Sequence, residues 1–400
     1  MKDHKKQNQK TQASRRNFLT ALSASSAGIL ALPLTQSHAK VSQNQVPNAP
    51  LEWRNKQAGM AYRKLGRTGM MISEVVNGGD PVRKGKTRPV EIAMERGLNY
   101  LDMAPAYGNG ECEETYAQII DSSSKREKVF MTTKVSGFTS VRSQLYRDIY
   151  DGLPSAKQEA ILKKAWEIRA ARGVDKPGYF LTYWPGQQKS NDPTFLANAM
   201  VEEYGHKVDG SQAFKDKIKT SVEGSLKRAK TDYFDILMCP HGANCAEEVQ
   251  IPEINETFEE LKKEGKVRYL GVSSHNDPAG VLRAATDAGK FDVVMCAYNV
   301  INGGYLEDAI RHAYDNGVGV IAMKAAMAVA THHEAIKPIP NWRIEKVNRI
   351  VPGEMKAPVK AYLWALQNPK LTAVISNLWD ENFINDNFSV VGKKVELQPG

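Results

Sequence analysis

Eight short runs, apolar throughout rather than alternating with polar residues, recur along the chain and constrain its fold more than any other feature. They span 74–77, 98–104, 128–135, 233–239, 267–273, 292–298, 318–323 and 371–376. A strand with one wet face alternates in character, whereas a strand covered on both faces is apolar at every position. Segments of helical period separate the runs. In 254–263, Ile254, Phe258 and Leu261 fall on one face, and the segment ends in charges and Gly265. Segments 278–289 and 305–317 also close on a glycine, the usual C-terminal stop of a helix. Eight such strands alternating with helices predict an α/β fold, a parallel (β/α)8 TIM barrel. An open doubly wound sheet is the competing architecture, but no G-x-G-x-x-G loop follows the first run. Ahead of the barrel, 62–65 and 71–73 flank Gly66-Arg67-Thr68-Gly69 and predict an N-terminal β-hairpin.

The unit predicted as barrel is 62–400, preceded by a polar lead-in at 40–61. One connection within it, 137–214, is far longer than a barrel loop needs. Part of it, 156–171, has helical period, and an aromatic cluster follows: Tyr179, Phe180, Tyr183 and Trp184. This insertion leaves the C-terminal end of the third strand, so it is expected over the face where barrels carry their sites. Its aromatics suit a substrate lid, an oligomer contact or the core of a small subdomain.

The chain has 400 residues and a formal charge of +9. The first 39 residues hold Lys2, Lys5, Lys6, Lys10, Arg15 and Arg16 against Asp3, which leaves only +4 for the remainder. No basic stripe interleaved with aromatics appears, so nothing favours a nucleic-acid partner. No apolar run approaches the roughly 20 residues of a membrane span. The charge of the first 39 residues has an order. Ser14-Arg15-Arg16-Asn17-Phe18-Leu19 opens a mildly apolar stretch to Leu34, and Ser37-His38-Ala39 puts small residues at the −3 and −1 places of a cleavage site. The segment 1–39 resembles a twin-arginine export signal. The resemblance implies passage through that export machinery, a mature chain starting near Lys40, and a periplasmic or extracellular location. In such a compartment the cysteines Cys112, Cys239, Cys245 and Cys296 raise a disulfide reading, above all for Cys239 with Cys245 around His241. Against it, Cys239 and Cys296 lie in apolar runs, where cysteine acts as a small hydrophobe. No second Cys/His pair at zinc spacing accompanies them, and no metal is expected.

Barrels place catalytic groups at strand ends. Asp102 lies near the end of the second run, with Tyr107 in the loop that follows. Lys134 ends the third and His241 follows the fourth. Each alone is unremarkable as a solvated polar residue, but together they have one chemistry. Carbonyl reduction needs a hydride on carbon and a proton on oxygen. A phenol near its ordinary pKa of about 10 is neutral and able to donate. A nearby Lys134 cation is expected to stabilise phenolate, Asp102 to hold Lys134, and His241 to orient the carbonyl oxygen or relay the proton.

These residues resemble the aldo-keto reductases. Tyr62-Arg63-Lys64-Leu65-Gly66-Arg67-Thr68-Gly69 is similar to that family's opening hairpin, and Leu101-Asp102-Met103-Ala104-Pro105-Ala106-Tyr107-Gly108 to its Asp-to-Tyr signature. Thr133-Lys134 and Pro240-His241 complete the tetrad, and Gly271-Val272-Ser273-Ser274 is similar to the turn after strand five. The resemblance implies an oxidoreductase acting on an aldehyde, ketone or sugar carbonyl with NADP or NAD, the cofactor lying on Gly79, Ser273, Ser274, Met295, Met323, Lys324 and Asn387. The cofactor half departs from the family pattern: Ser274 replaces Asn, Met295 replaces Gln, Met323 stands for an aromatic, and Phe383 replaces an Arg. The departures leave NADP and NAD both open. Scarcity of free dinucleotide outside the cytoplasm would favour a tightly held one. Two other functions share these residues: a cofactor-recycling sugar epimerase or lyase, and a non-catalytic binding protein on a degenerate barrel.

Overall fold

A computed structural model describes residues 49–400. The export signal expected at 1–39, and residues 40–48 of the lead-in, lie outside them. Three short strands come first: β1 (Glu52–Trp53), β2 (Tyr62–Lys64) and β3 (Met70–Ser73). The hairpin is present, with Tyr62 opposite Ser73 in the antiparallel pair β2–β3. The lead-in is ordered at its far end, since β1 adds to β3 in parallel. Charge fixes it there. Arg54 lies 3.2 Å from the fully buried Asp235, which also takes Arg126 at 3.0 Å and Arg268 at 2.6 Å.

Every apolar run contributes one strand to a closed, parallel barrel: β4 (Val75–Asn77), β5 (Tyr100–Asp102), β6 (Phe130–Lys134), β7 (Phe234–Met238), β8 (Val267–Ser274), β9 (Val293–Ala297), β10 (Gly319–Met323) and β11 (Ala373–Ser376). Order around the barrel follows the chain, and β11 closes on β4 through Val374 and Val75. Alternate residues turn inward. Val76, Tyr100, Phe130, Ile236, Val293 and Ile321 form an interior core together with Leu65, Met70 and Ile72 from the hairpin. Those three hairpin side chains are 0% exposed, each burial being worth about 1.5–3 kcal/mol. The hairpin thus floors the barrel at the N-terminal ends of its strands. Leu65 packs so closely on β10 that a Cβ on Gly319 would meet it at 2.6 Å. The inward positions nearest the other end are Asp102, Lys134, Met295 and Met323, and there the interior turns polar.

The insertion is helical. After β6 come Phe138–Asp151, Ser155–Arg172 and Asn191–Tyr204, before Ser211–Ala229 returns the chain to the barrel. Tyr146, Tyr150, Ile161, Val174, Tyr179, Phe195 and Met200 give it a core of its own. The aromatic cluster divides between roles. Tyr179 belongs to that core, whereas Tyr183 is buried in the main core of the barrel and Trp184 packs against it.

Candidate active site

The tetrad is assembled at the C-terminal end of the strands. Asp102 ends β5 and Lys134 ends β6, both inward and nearly inaccessible. Lys134 Nζ donates to Asp102 Oδ1 and, at 3.0 Å, to the Met103 carbonyl. Tyr107 is returned over this pair by a tight turn in which Gly108, Asn109 and Gly110 take φ of 60°, 53° and 92°, a left-handed stretch that glycine tolerates without penalty. Lys134 Nζ ends 4.7 Å from the centre of the Tyr107 ring. His241 stands edge-to-face with the same ring, centroids 5.7 Å apart. Its Nδ1 lies 2.8 Å from Ser136 Oγ, leaving the other ring nitrogen for a ligand. Gly79 packs behind this group, where a Cβ would come within 2.1 Å of the Asp102 carbonyl oxygen and 2.7 Å of Cys112 Sγ.

Electrostatics set the proton inventory. Burial pushes the Asp102 carboxyl up from its usual range, and Lys134 pulls it back only in part. Burial, and next the Asp102 charge, hold the Tyr107 phenol well above its ordinary value. These effects outweigh any lowering by the Lys134 ammonium beside the ring. Tyr107 is therefore a neutral donor. Burial, reinforced by Lys134 and Lys324, drives His241 down to about 3, so it is a neutral imidazole at working pH.

A cavity of about 290 Å³ opens above Tyr107 and Asp102. Its walls include Gly79, Met295, Met323, Lys324 and Asn387 of the residues expected at the cofactor. Ser273 and Ser274 are not among them. The Ser273 hydroxyl accepts from Gly242 N at 2.9 Å and that of Ser274 donates to the Ala243 carbonyl at 2.8 Å, so both tie down the loop carrying His241. Asn387 Nδ2 donates to Ser376 Oγ at 2.7 Å. Asp380 caps the final helix, Glu381–Phe388, by accepting from Phe383 N at 3.0 Å, while Phe383 itself lines the cavity. Asp80, His275, His332, Tyr362 and Trp379 also line it and were not anticipated. Asp80 and His275 follow the ends of β4 and β8, the same strand-end position that marks the tetrad in the sequence.

The insertion is pinned to the loops beside this mouth, although none of its residues is among the cavity's walls. Asn276 donates to Ser190 Oγ at 2.8 Å and Asn244 Oδ1 at 2.7 Å, and accepts from Gln187 Nε2 at 2.9 Å. Tyr179 donates to Asp277, and Arg172 pairs with Glu247. Trp184 meets His275 edge-on at 4.9 Å. The four cysteines are buried and free, Cys239 and Cys245 included.

The family model for the aldo/keto reductase family matches residues 77–205 and 186–398, which is most of the chain. The chain belongs to the aldo/keto reductase family. Among curated relatives, it is 30% identical over 218 residues to the uncharacterized oxidoreductase YqkF of Bacillus subtilis, covering 54% of this chain and 49% of that protein. It is 25% identical over 203 residues to L-galactose dehydrogenase of Arabidopsis thaliana, covering 47% and 61%. The chain thus spans about half to three-fifths of the length of these relatives. Of solved structures, the holo form of aldo-keto reductase AKR11C1 from Bacillus halodurans shares the fold, with a TM-score of 0.54, 20% identity and coverage of 84% of this chain and 92% of that one.

Proposed function

We propose that this family member is an exported oxidoreductase that reduces an aldehyde, ketone or sugar carbonyl with a tightly held nicotinamide dinucleotide, Tyr107 serving as general acid. The observation that carries the reading is the Tyr107 phenol, kept neutral over the Lys134–Asp102 pair at the base of a cavity. A carbonyl oxygen placed between Tyr107 and the free nitrogen of His241 would meet two donors. Neutral His241 orients it, and the Tyr107 proton passes to the oxygen as negative charge develops there. The Lys134 ammonium beside the ring then stabilises the phenolate.

The residues present fit a dinucleotide in part of its length. Thioethers of Met295 and Met323 suit a flat ring face, and the cavity continues to Asn387 and Phe383 at the last helix. The dinucleotide would supply the hydride. Asp380 and Glu381 at the start of that helix, with Phe383 rather than an arginine facing the cavity, suit NAD rather than a 2′-phosphate. Export is supported by the order of charge, apolar stretch and small residues within 1–39. A sugar-type substrate draws support from the name of the Arabidopsis relative.

Tyr107→Phe is the test. The substitution keeps the ring and removes the proton, so kcat for a model aldehyde should fall about 10²–10⁴-fold with KM little changed. Undiminished kcat would remove Tyr107 from the chemistry.

A further inference from the structure

Lys324 lines the cavity as a cation with no carboxylate at ion-pair distance, and the largest charge acting on it is that of Asp80. It follows β10 directly and adopts φ 64°, a left-handed conformation uncommon for a residue with a side chain. Its Nζ lies 5.8 Å from the centre of the Tyr183 ring and 5.6 Å from that of Trp184. Among the described residues no carboxylate lies within ion-pair distance of it. Asp102 is occupied by Lys134, and Asp80 stands at the exposed rim of the cavity.

Position decides which end of a ligand this charge serves. Met323, just before it, is an inward barrel residue, and Tyr183 and Trp184 come from the insertion. The charge acts on His241 and His275 and feels Asp80, Asp102 and Lys134. Of these, Lys134 and His241 stand against the Tyr107 ring and Asp102 acts on its phenol. The Trp184 ring that faces Lys324 also meets His275, whereas Phe383 and Asn387 lie on the final helix. Lys324 therefore belongs to the carbonyl end of the cavity. The two neighbouring histidines are held neutral by burial, so Lys324 is the cation of this end of the cavity that no carboxylate contacts, Asp80 standing off at the exposed rim. An enclosed ammonium facing aromatic rings gains most from a ligand anion, which restores the ion pair lost on leaving water.

We propose that Lys324 is the anion-binding residue of the substrate site, so that the preferred substrates are carbonyl compounds carrying a carboxylate. This rests on the reading of the cavity as a carbonyl site and narrows its substrate class. Tyr107 and His241 take the carbonyl oxygen, while Lys324, backed by the Tyr183 and Trp184 rings, takes the carboxylate. The insertion thereby reads the substrate by holding the aromatic rings against which Lys324 rests.

The test compares para-carboxybenzaldehyde with its neutral carboxamide, by quenching of tryptophan fluorescence and by calorimetry, with no turnover required. Wild type should bind the acid about tenfold or more tighter than the amide, the usual gain for a charged hydrogen bond. Lys324→Met should weaken the acid to the level of the amide and leave the amide unchanged, and Lys324→Arg should retain the preference. Equal affinity for the two probes in wild type, or no binding of the acid, overturns the proposal. So does a Lys324→Met protein that keeps the acid preference and loses affinity for NADH, which would assign the cation to a cofactor phosphate. Because binding is read directly, absence of carbonyl reduction would sink the proposed activity while leaving this result intact.

Discussion

The Lys134 ammonium donates to Asp102 while standing 4.7 Å from the centre of the Tyr107 ring. One charge therefore neutralises a buried carboxylate and lies beside the group that must give up a proton. Its two tasks separate on mutation. Lys134→Met leaves Asp102, 2% exposed, without its counter-ion, which should cost about 3–5 kcal/mol of stability. Adding Asp102→Asn should recover most of that loss, since the double variant buries no charge. Activity should stay low in both. Urea unfolding of the two single variants and the double variant checks this, and strictly additive losses would show the pair is not coupled.

His241 makes a pH prediction with a definite sign. Its folded value, about 3, lies below its ordinary 6.5 because burial disfavours the imidazolium. Between those values the unfolded chain binds the proton and the folded chain does not. The contribution is therefore fully present above pH 6.5 and is lost as pH falls toward 3, at up to about 1.4 kcal/mol per pH unit. Replacing His241 by Asn should flatten the fall in unfolding free energy measured from about pH 7 to about pH 5, a window drawn from this linkage. An unchanged slope would contradict the neutral-imidazole assignment. For the same reason kcat/KM should show no break from His241 near neutrality.

Asn276 joins the insertion to the loops after β7 and β8 through three side-chain bonds. Asn276→Ala should strand Gln187 and Asn244, both largely buried, and cost about 1–3 kcal/mol. Hydrogen exchange should quicken over 183–190 while the barrel helices keep their protection. Faster exchange spread evenly over the whole chain would mean that the network supports the fold at large rather than the insertion beside the site.

The barrel was legible because strands buried on both faces leave a signal that survives without any partner in view. The limits of that signal are equally physical. The run 98–104 overstates β5, which is Tyr100–Asp102, because Met103 and Ala104 remain fully buried beyond the last paired residue. Val135 extends the third run past β6 for the same reason. A helix start was clear at Pro278, where proline's fixed φ suits the first turn, whereas the helix expected from 254 begins two residues earlier, at Pro252. The helix Asn191–Tyr204 escaped notice because it is buried on several sides and shows no single apolar stripe. Within the site, Asp102, Tyr107, Lys134 and His241 could be read from position at strand ends. That Ser273 and Ser274 bond a loop backbone instead of facing the cavity depends on where the loop after β7 returns, which no local pattern records.

The hairpin floor gives the barrel a single doorway. Leu65, Met70 and Ile72 stopper one end, and the cavity opens at the other, beside the clamped insertion. A cavity closed below by that packed interior would act as a last-in, first-out store. A molecule lodged at its base cannot escape past one sitting above it, and exchange at the base waits until the upper occupant has gone. Traffic through this protein is thereby ordered by architecture before any affinity is considered.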